Sequence, residues 1–102
     1  MQSDTRGTER LSVRVRIEGR VQGVFYRAWT SETARKLGLD GTVRNCSDGS
    51  VEAVFSGPAE KVEQMLRLCH EGPPQARVTK VSIISKAESV EPGFRVLGTD
   101  WD

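Results

Sequence analysis

Between Leu11 and Glu18 apolar and polar residues alternate without a break. Leu11, Val13, Val15 and Ile17 fall on one face, and Ser12, Arg14, Arg16 and Glu18 on the other. Successive side chains of a strand point to opposite faces, so this segment reads as a strand with one buried side. The alternation stops at Gly19, and residues 19–26 contain two glycines. From Arg27 the spacing becomes helical, with Trp29, Thr33 or Ala34, and Leu37 in register and Gly38 placed to end the helix.

The rest of the chain supplies partners for that first strand. A second strand is expected over residues 41–45, followed by a hairpin turn at Ser47-Asp48-Gly49, where glycine supplies positive φ. The third strand, SVEAVF, places Val51, Ala53 and Phe55 on one face. Ser56-Gly57-Pro58 is expected to open a second helix, with proline near its first position. Val62, Met65, Leu66 and Cys69 form its apolar stripe, and Gly72-Pro73-Pro74 stops it. A fourth strand covers about residues 77–84, and residues 94–97 read as a short fifth. The order β-α-β-β-α-β with a terminal strand is the ferredoxin-like α+β sandwich, two helices on one face of a mostly antiparallel sheet. Such a scaffold carries many unrelated functions, so the chemistry has to come from particular residues.

At 102 residues the chain is one domain, able to bury roughly two-thirds of its unfolded surface. Residues 1–10, MQSDTRGTER, are polar and lack the apolar middle of a signal peptide, so they read as a flexible tail before a domain at 11–98. Residues 99–102 read as a second tail. No apolar run is long enough to span a bilayer, and a cytoplasmic monomer is the expectation. Fifteen basic residues against fourteen acidic ones leave a net charge of +1, which argues against a broad nucleic-acid surface. Anion binding would then rest on a few placed groups. Cys46 and Cys69 form no CxxC pair and show no metal-ligand spacing, which suits reduced thiols.

The segment GRVQGVFYR, residues 19–27, has two assets for holding an anion. Gly19 and Gly23 permit backbone conformations in which successive N–H groups converge. The loop also runs into a helix N-terminus, whose free N–H groups and dipole favour negative charge. Arg27 opens the helix, where its guanidinium can reach back and hold two phosphoryl oxygens at once. In the split βαβ order the first and second strands are parallel with the third between them. Their C-terminal ends therefore meet at one edge, which makes Asn45 a neighbour of the loop. Parity puts Asn45 on the core-facing side with Val43, where a carboxamide needs hydrogen-bond partners or a site to point into.

GRVQGVFYR resembles the first signature of the acylphosphatase family, and Gly41-Thr42-Val43-Arg44-Asn45 with Ser47-Asp48-Gly49-Ser50-Val51 and Gly57 resembles the second. GPPQARVTKVSI resembles the entry to the family's fourth strand, so the similarity spans about residues 11–97. The resemblance implies hydrolysis of the carboxyl-phosphate bond of small acyl phosphates to a carboxylate and inorganic phosphate, with no metal or cofactor. It implies Arg27 as the phosphate-binding catalytic arginine and Asn45 as the residue that orients water. The backbone of Val21, Gln22, Gly23, Val24, Phe25 and Tyr26 would supply the rest of the cradle. Thr42 stands where the family often has an aromatic residue, and Cys46 where some members have a hydroxyl; Cys46, Ser47 or a backbone group would support Asn45.

The residue inventory is consistent with that chemistry. An acyl phosphate expels a carboxylate, a stable anion near neutral pH, so no acid is required to protonate it. No cysteine lies in the loop to act as nucleophile, no carboxylate cluster accompanies it, and the only histidine, His70, falls at the end of the second helix. An RNA-recognition domain would need aromatic residues on the outer face of the central strands, where Arg14, Arg16, Glu52 and Val54 fall instead. The remaining alternatives are a non-catalytic module that binds phosphorylated ligands and a unit serving a larger carbamoyl-transfer enzyme, the latter disfavoured by a 102-residue chain.

Overall fold

In the computed structural model, which describes residues 9–98, the alternating segment lies in β1 (Arg10–Arg20). Val13, Val15 and Ile17 are buried along it and the residues between them are half-buried. Next come α1 (Tyr26–Lys36), β2 (Asp40–Asn45), β3 (Val51–Pro58), α2 (Ala59–Cys69), β4 (Arg77–Lys86) and β5 (Phe94–Val96). They form one five-stranded sheet in the order β4-β1-β3-β2-β5. β3 pairs antiparallel with both β1 and β2, so those two are parallel, as the element order required. β5 adds a parallel edge beside β2. This is the ferredoxin-like α+β fold, with its two helices on the sheet.

The register explains the core. Val13 faces Phe55, Val15 faces Ala53, and Ile17 faces Val51 across β1 and β3. Across β3 and β2, Gly41 faces Phe55, Val43 faces Ala53, and Asn45 faces Val51. Three rows thus cross the sheet, and Asn45 ends the row that begins at Ile17. Both helices cover these rows with Val62, Met65 and Cys69 from α2 and Tyr26 and Ala34 from α1. Leu66, Trp29 and Leu37 pack against the cluster from its margins.

Several boundaries differ from the sequence expectation, each for a physical reason. Ser56, Gly57 and Pro58 do not open the second helix. They extend β3, because β1 begins at Arg10 and offers them partners: Ser12 for Ser56, Leu11 for Gly57, Arg10 for Pro58. Pro58 is the N-cap, at φ −57° and ψ 136°, and α2 starts at Ala59. Proline's fixed φ serves a strand end as well as a helix start. α1 begins one residue earlier than expected, so its buried line runs through Tyr26, Thr30 and Ala34, with Trp29 beside it. β4 continues to Lys86, and β5 ends at Val96.

β1 also takes in Arg10, a residue of the segment read as a tail, and the Glu9 carbonyl accepts the N–H of Ala59. The remaining tail expectations, for residues 1–8 and 99–102, lie outside the described residues. On the outer face Glu52 pairs with Arg44 at 2.7 Å and with Arg14 at 3.5 Å, and no aromatic side chain occupies the outward positions of β1 or β3. Both cysteines are free thiols. No described helix is long and apolar enough to cross a membrane.

Candidate active site

The parallel arrangement of β1 and β2 brings the loop after β1 and the end of β2 to the same sheet edge. Arg27 and Asn45, eighteen positions apart in the numbering, line one cavity of about 400 Å³ there. Val21, Gly23, Phe25 and Tyr26 of the loop line it as well, and Ala28 and Val96 complete its rim.

The loop is fixed by what it buries. Val21, Val24 and Tyr26 are at most 2% exposed, so three of its side chains anchor it in the core. The Tyr26 hydroxyl donates to the Cys69 carbonyl at 2.7 Å, tying the start of α1 to the end of α2. Burial raises the Tyr26 hydroxyl pKa above its ordinary value, with Cys69 adding to the shift. Gln22 holds the other side. Its Nε2 donates to the carbonyls of Cys46 and Ser50, each at 2.8 Å, which clamps the loop to the β2–β3 turn. That turn is itself organised by Asp48, whose Oδ1 accepts from the N–H and hydroxyl of Ser50 while Oδ2 accepts from Arg16 at 2.9 Å. The Ser50 hydrogen bonds, with a lesser contribution from Arg16, hold the Asp48 carboxyl below its usual pKa.

Backbone signs alternate through the loop: Gly23 has φ 74° and Phe25 has φ 64°, while Gln22, Val24 and Tyr26 lie at negative φ. A left-handed residue next to a right-handed one turns successive N–H groups toward one concave side, and Gly23 and Phe25 supply the positive φ that such an anion-binding nest needs. Phe25 is the N-cap of α1, yet makes no side-chain cap, and the first turn of the helix holds no acidic residue. The N-terminal amides of α1 are left without a side-chain acceptor, and the dipole adds positive potential there. Gly19, by contrast, serves packing: an added Cβ would collide with the Arg77 carbonyl of β4. The cradle's glycine is Gly23.

The Arg27 guanidinium is held by a feature the sequence did not announce. Its Nη1 donates to the Leu97 carbonyl at 2.8 Å, and the Leu97 N–H bonds to the Val43 carbonyl, prolonging the pairing of β5 with β2. One of five guanidinium donors is used in that anchor, leaving a fork for a planar or tetrahedral oxyanion. Asn45 is half-buried, and the only buried side-chain nitrogen or oxygen without a partner among the described residues is Ser31 Oγ, so the Asn45 carboxamide opens on the cavity rather than being stranded in the core.

Other reactive side chains are elsewhere. Cys69 is buried, and burial pushes its thiol up to about 12, so it stays protonated. His70 is the exposed C-cap of α2. Among the described residues no group of three or more His, Cys, Asp or Glu side chains could hold a metal ion. Loop, Arg27 and Asn45 were all legible in advance. The side-chain clamp of Gln22, the Leu97 anchor and the presence of Ala28 and Val96 at the rim were not.

The chain is similar to known proteins over most of its length. The family model described as acylphosphatase matches residues 13–96. An acylphosphatase of Rhodospirillum rubrum is 56% identical over 80 residues, covering 78% of this chain and 88% of its own. The solved structure of an acylphosphatase from Coxiella burnetii superposes with a TM-score of 0.83 at 34% identity, over 88% of this chain and 95% of that one. Full-length HypF, in its phosphate- and nucleotide-bound form, contains a similar unit with a TM-score of 0.82 at 27% identity; the match covers 92% of this chain and 12% of HypF.

Proposed function

The chain belongs to the acylphosphatase family and is an acylphosphatase; from that premise we propose that Arg27 and the amides of residues 21–26 hold the substrate's phosphoryl group while Asn45 orients the attacking water. The observation that carries the proposal is the convergence of Arg27 from α1 and Asn45 from β2 on one cavity floored by the nest-like loop.

Phosphoryl transfer asks for in-line positioning and stabilisation of charge on the equatorial oxygens. Here the loop amides and the Arg27 fork face those oxygens, and both are fixed before substrate arrives, the loop by its buried side chains and the guanidinium by Leu97. Water held by the Asn45 carboxamide attacks phosphorus as the bond from phosphorus to the acyl oxygen breaks. The electron pair of that bond leaves on the carboxylate, whose conjugate acid has a pKa of about 4, so the departing oxygen needs no proton. The proton released by water passes to a phosphate oxygen. One water and one acyl phosphate thus become a carboxylate and inorganic phosphate.

The test is release of inorganic phosphate from acetyl or benzoyl phosphate in the presence of a chelator, comparing wild type with Arg27→Ala. Wild type turns over, and the variant loses turnover and phosphate affinity while its circular dichroism is unchanged. Normal hydrolysis by the variant would remove Arg27 from the mechanism. Phosphate binding without turnover by the wild type would make the protein a binding module instead.

A further inference from the structure

Phe25, Ala28 and Val96 border two hollows at once: the cavity that holds Arg27 and Asn45, and a larger one of about 880 Å³ along α1. Their side chains are apolar and open to solvent at that shared rim; Phe25 is 80% exposed and Val96 46%. Phe25 is also the one described non-glycine residue at positive φ. Glycine, asparagine and aspartate enter that conformation more readily than a bulky residue does. Core packing does not account for the phenylalanine, because its ring lies outside the core while Val21, Val24 and Tyr26 on either side are buried.

We propose that these three side chains form an acyl subsite, so that the enzyme selects acyl phosphates whose carbon part is apolar, an aromatic ring best of all. The proposal rests on the reading of the adjoining cavity as the phosphoryl site. With the phosphoryl oxygens facing loop amides and Arg27, the acyl group must leave the cavity over a wall that is not polar, and Phe25 and Val96 are that wall. A ring laid there removes two apolar surfaces from water at once. A charged acyl group would want a cation at the same rim. Among the residues lining the larger hollow the cations are Arg35 and Lys36. Arg35 is two helical turns beyond Ala28, about 10 Å along the axis, and its guanidinium donates to the Phe94 carbonyl at 2.9 Å. One short acyl group does not span that distance.

The experiment measures kcat/KM for acetyl, butanoyl and benzoyl phosphate with wild type, Val96→Thr and Phe25→Asn, asparagine being chosen because it tolerates the left-handed backbone. Wild-type kcat/KM rises from acetyl to benzoyl, through KM. Val96→Thr lowers the benzoyl-to-acetyl ratio about threefold to tenfold, and Phe25→Asn about tenfold or more, the range expected for losing one or several apolar groups from a contact. Equal efficiency on all three substrates in the wild type, or a ratio that neither variant changes, overturns the proposal. So does a parallel loss on every substrate in both variants, which would mean that the two side chains act through the shape of the loop. Failure of the underlying mechanism looks different: Arg27→Ala would then hydrolyse all three substrates normally, whereas a failed acyl subsite leaves Arg27 essential and only the ratio flat.

Discussion

Arg27 sits in the first turn of a helix, where a positive charge meets the positive end of the dipole. In the sequence that misfit already called for an anionic partner. In the structure part of the compensation is permanent, since the Leu97 carbonyl accepts one guanidinium N–H; in the proposed mechanism the phosphoryl group supplies the rest. Asn45 has the opposite character, a neutral group at the end of a row of core residues, Ile17 and Val51, where nothing apolar was selected. Its role predicts a split. Asn45→Ala should leave inhibition by inorganic phosphate close to wild type while kcat falls by about two to four orders of magnitude, the range seen when one positioned polar group is removed. Weakened phosphate inhibition would instead make Asn45 a ligand. Both residues were legible because residue type and place in the element order were informative. Gln22 was seen only as backbone, since nothing local says that a glutamine side chain will find the carbonyls of Cys46 and Ser50.

At the scale of elements, the sequence located each helix and strand of the described residues and misjudged several of their ends. It failed at Ser56-Gly57-Pro58, where serine, glycine and proline are locally turn-like but a paired strand carried them on. α2 shows why a stripe matters beyond packing. Cys69 ends its buried face, and its folded thiol pKa is pushed up to about 12, above the unfolded value near 9.0. The fold therefore binds that proton more tightly than the unfolded chain does, and the corresponding stability is complete below the unfolded value and lost as pH rises from there through the folded one. Tyr26, raised in the same direction, acts likewise. The urea midpoint should fall steadily above about pH 9, and Cys69→Ala should show a shallower fall. An identical slope in that variant would exclude the thiol as a contributor.

Over the whole molecule, site and fold are the same object. The loop is bolted through Tyr26 to α2, through Gln22 to the hairpin, and through Arg27 to the residue after β5. A ligand that binds this arrangement and not the unfolded chain must stabilise it. Inorganic phosphate at about 100 times its dissociation constant should raise unfolding free energy by about 2.7 kcal/mol, and Arg27→Ala should abolish most of that gain. A thermal or urea titration at fixed ionic strength, with chloride as control, decides it; equal stabilisation of the variant would point to a nonspecific salt effect. The amino-acid sequence by itself determined the elements, their order, the parallel relation of β1 to β2, and hence the meeting of the glycine loop with Asn45. These follow from periodicity and from chain connectivity, which are written locally. Only the tertiary structure decided that Leu97 would orient Arg27, that Gln22 would clamp the turn, and that Val96 would face Phe25's cavity. The first two are contacts to backbone carbonyls, a group every residue carries, so no residue type could have marked them in advance. The third depends on how an edge strand registers against its neighbour, Val96 beside Val43, and three residues of strand are too short a pattern to specify that.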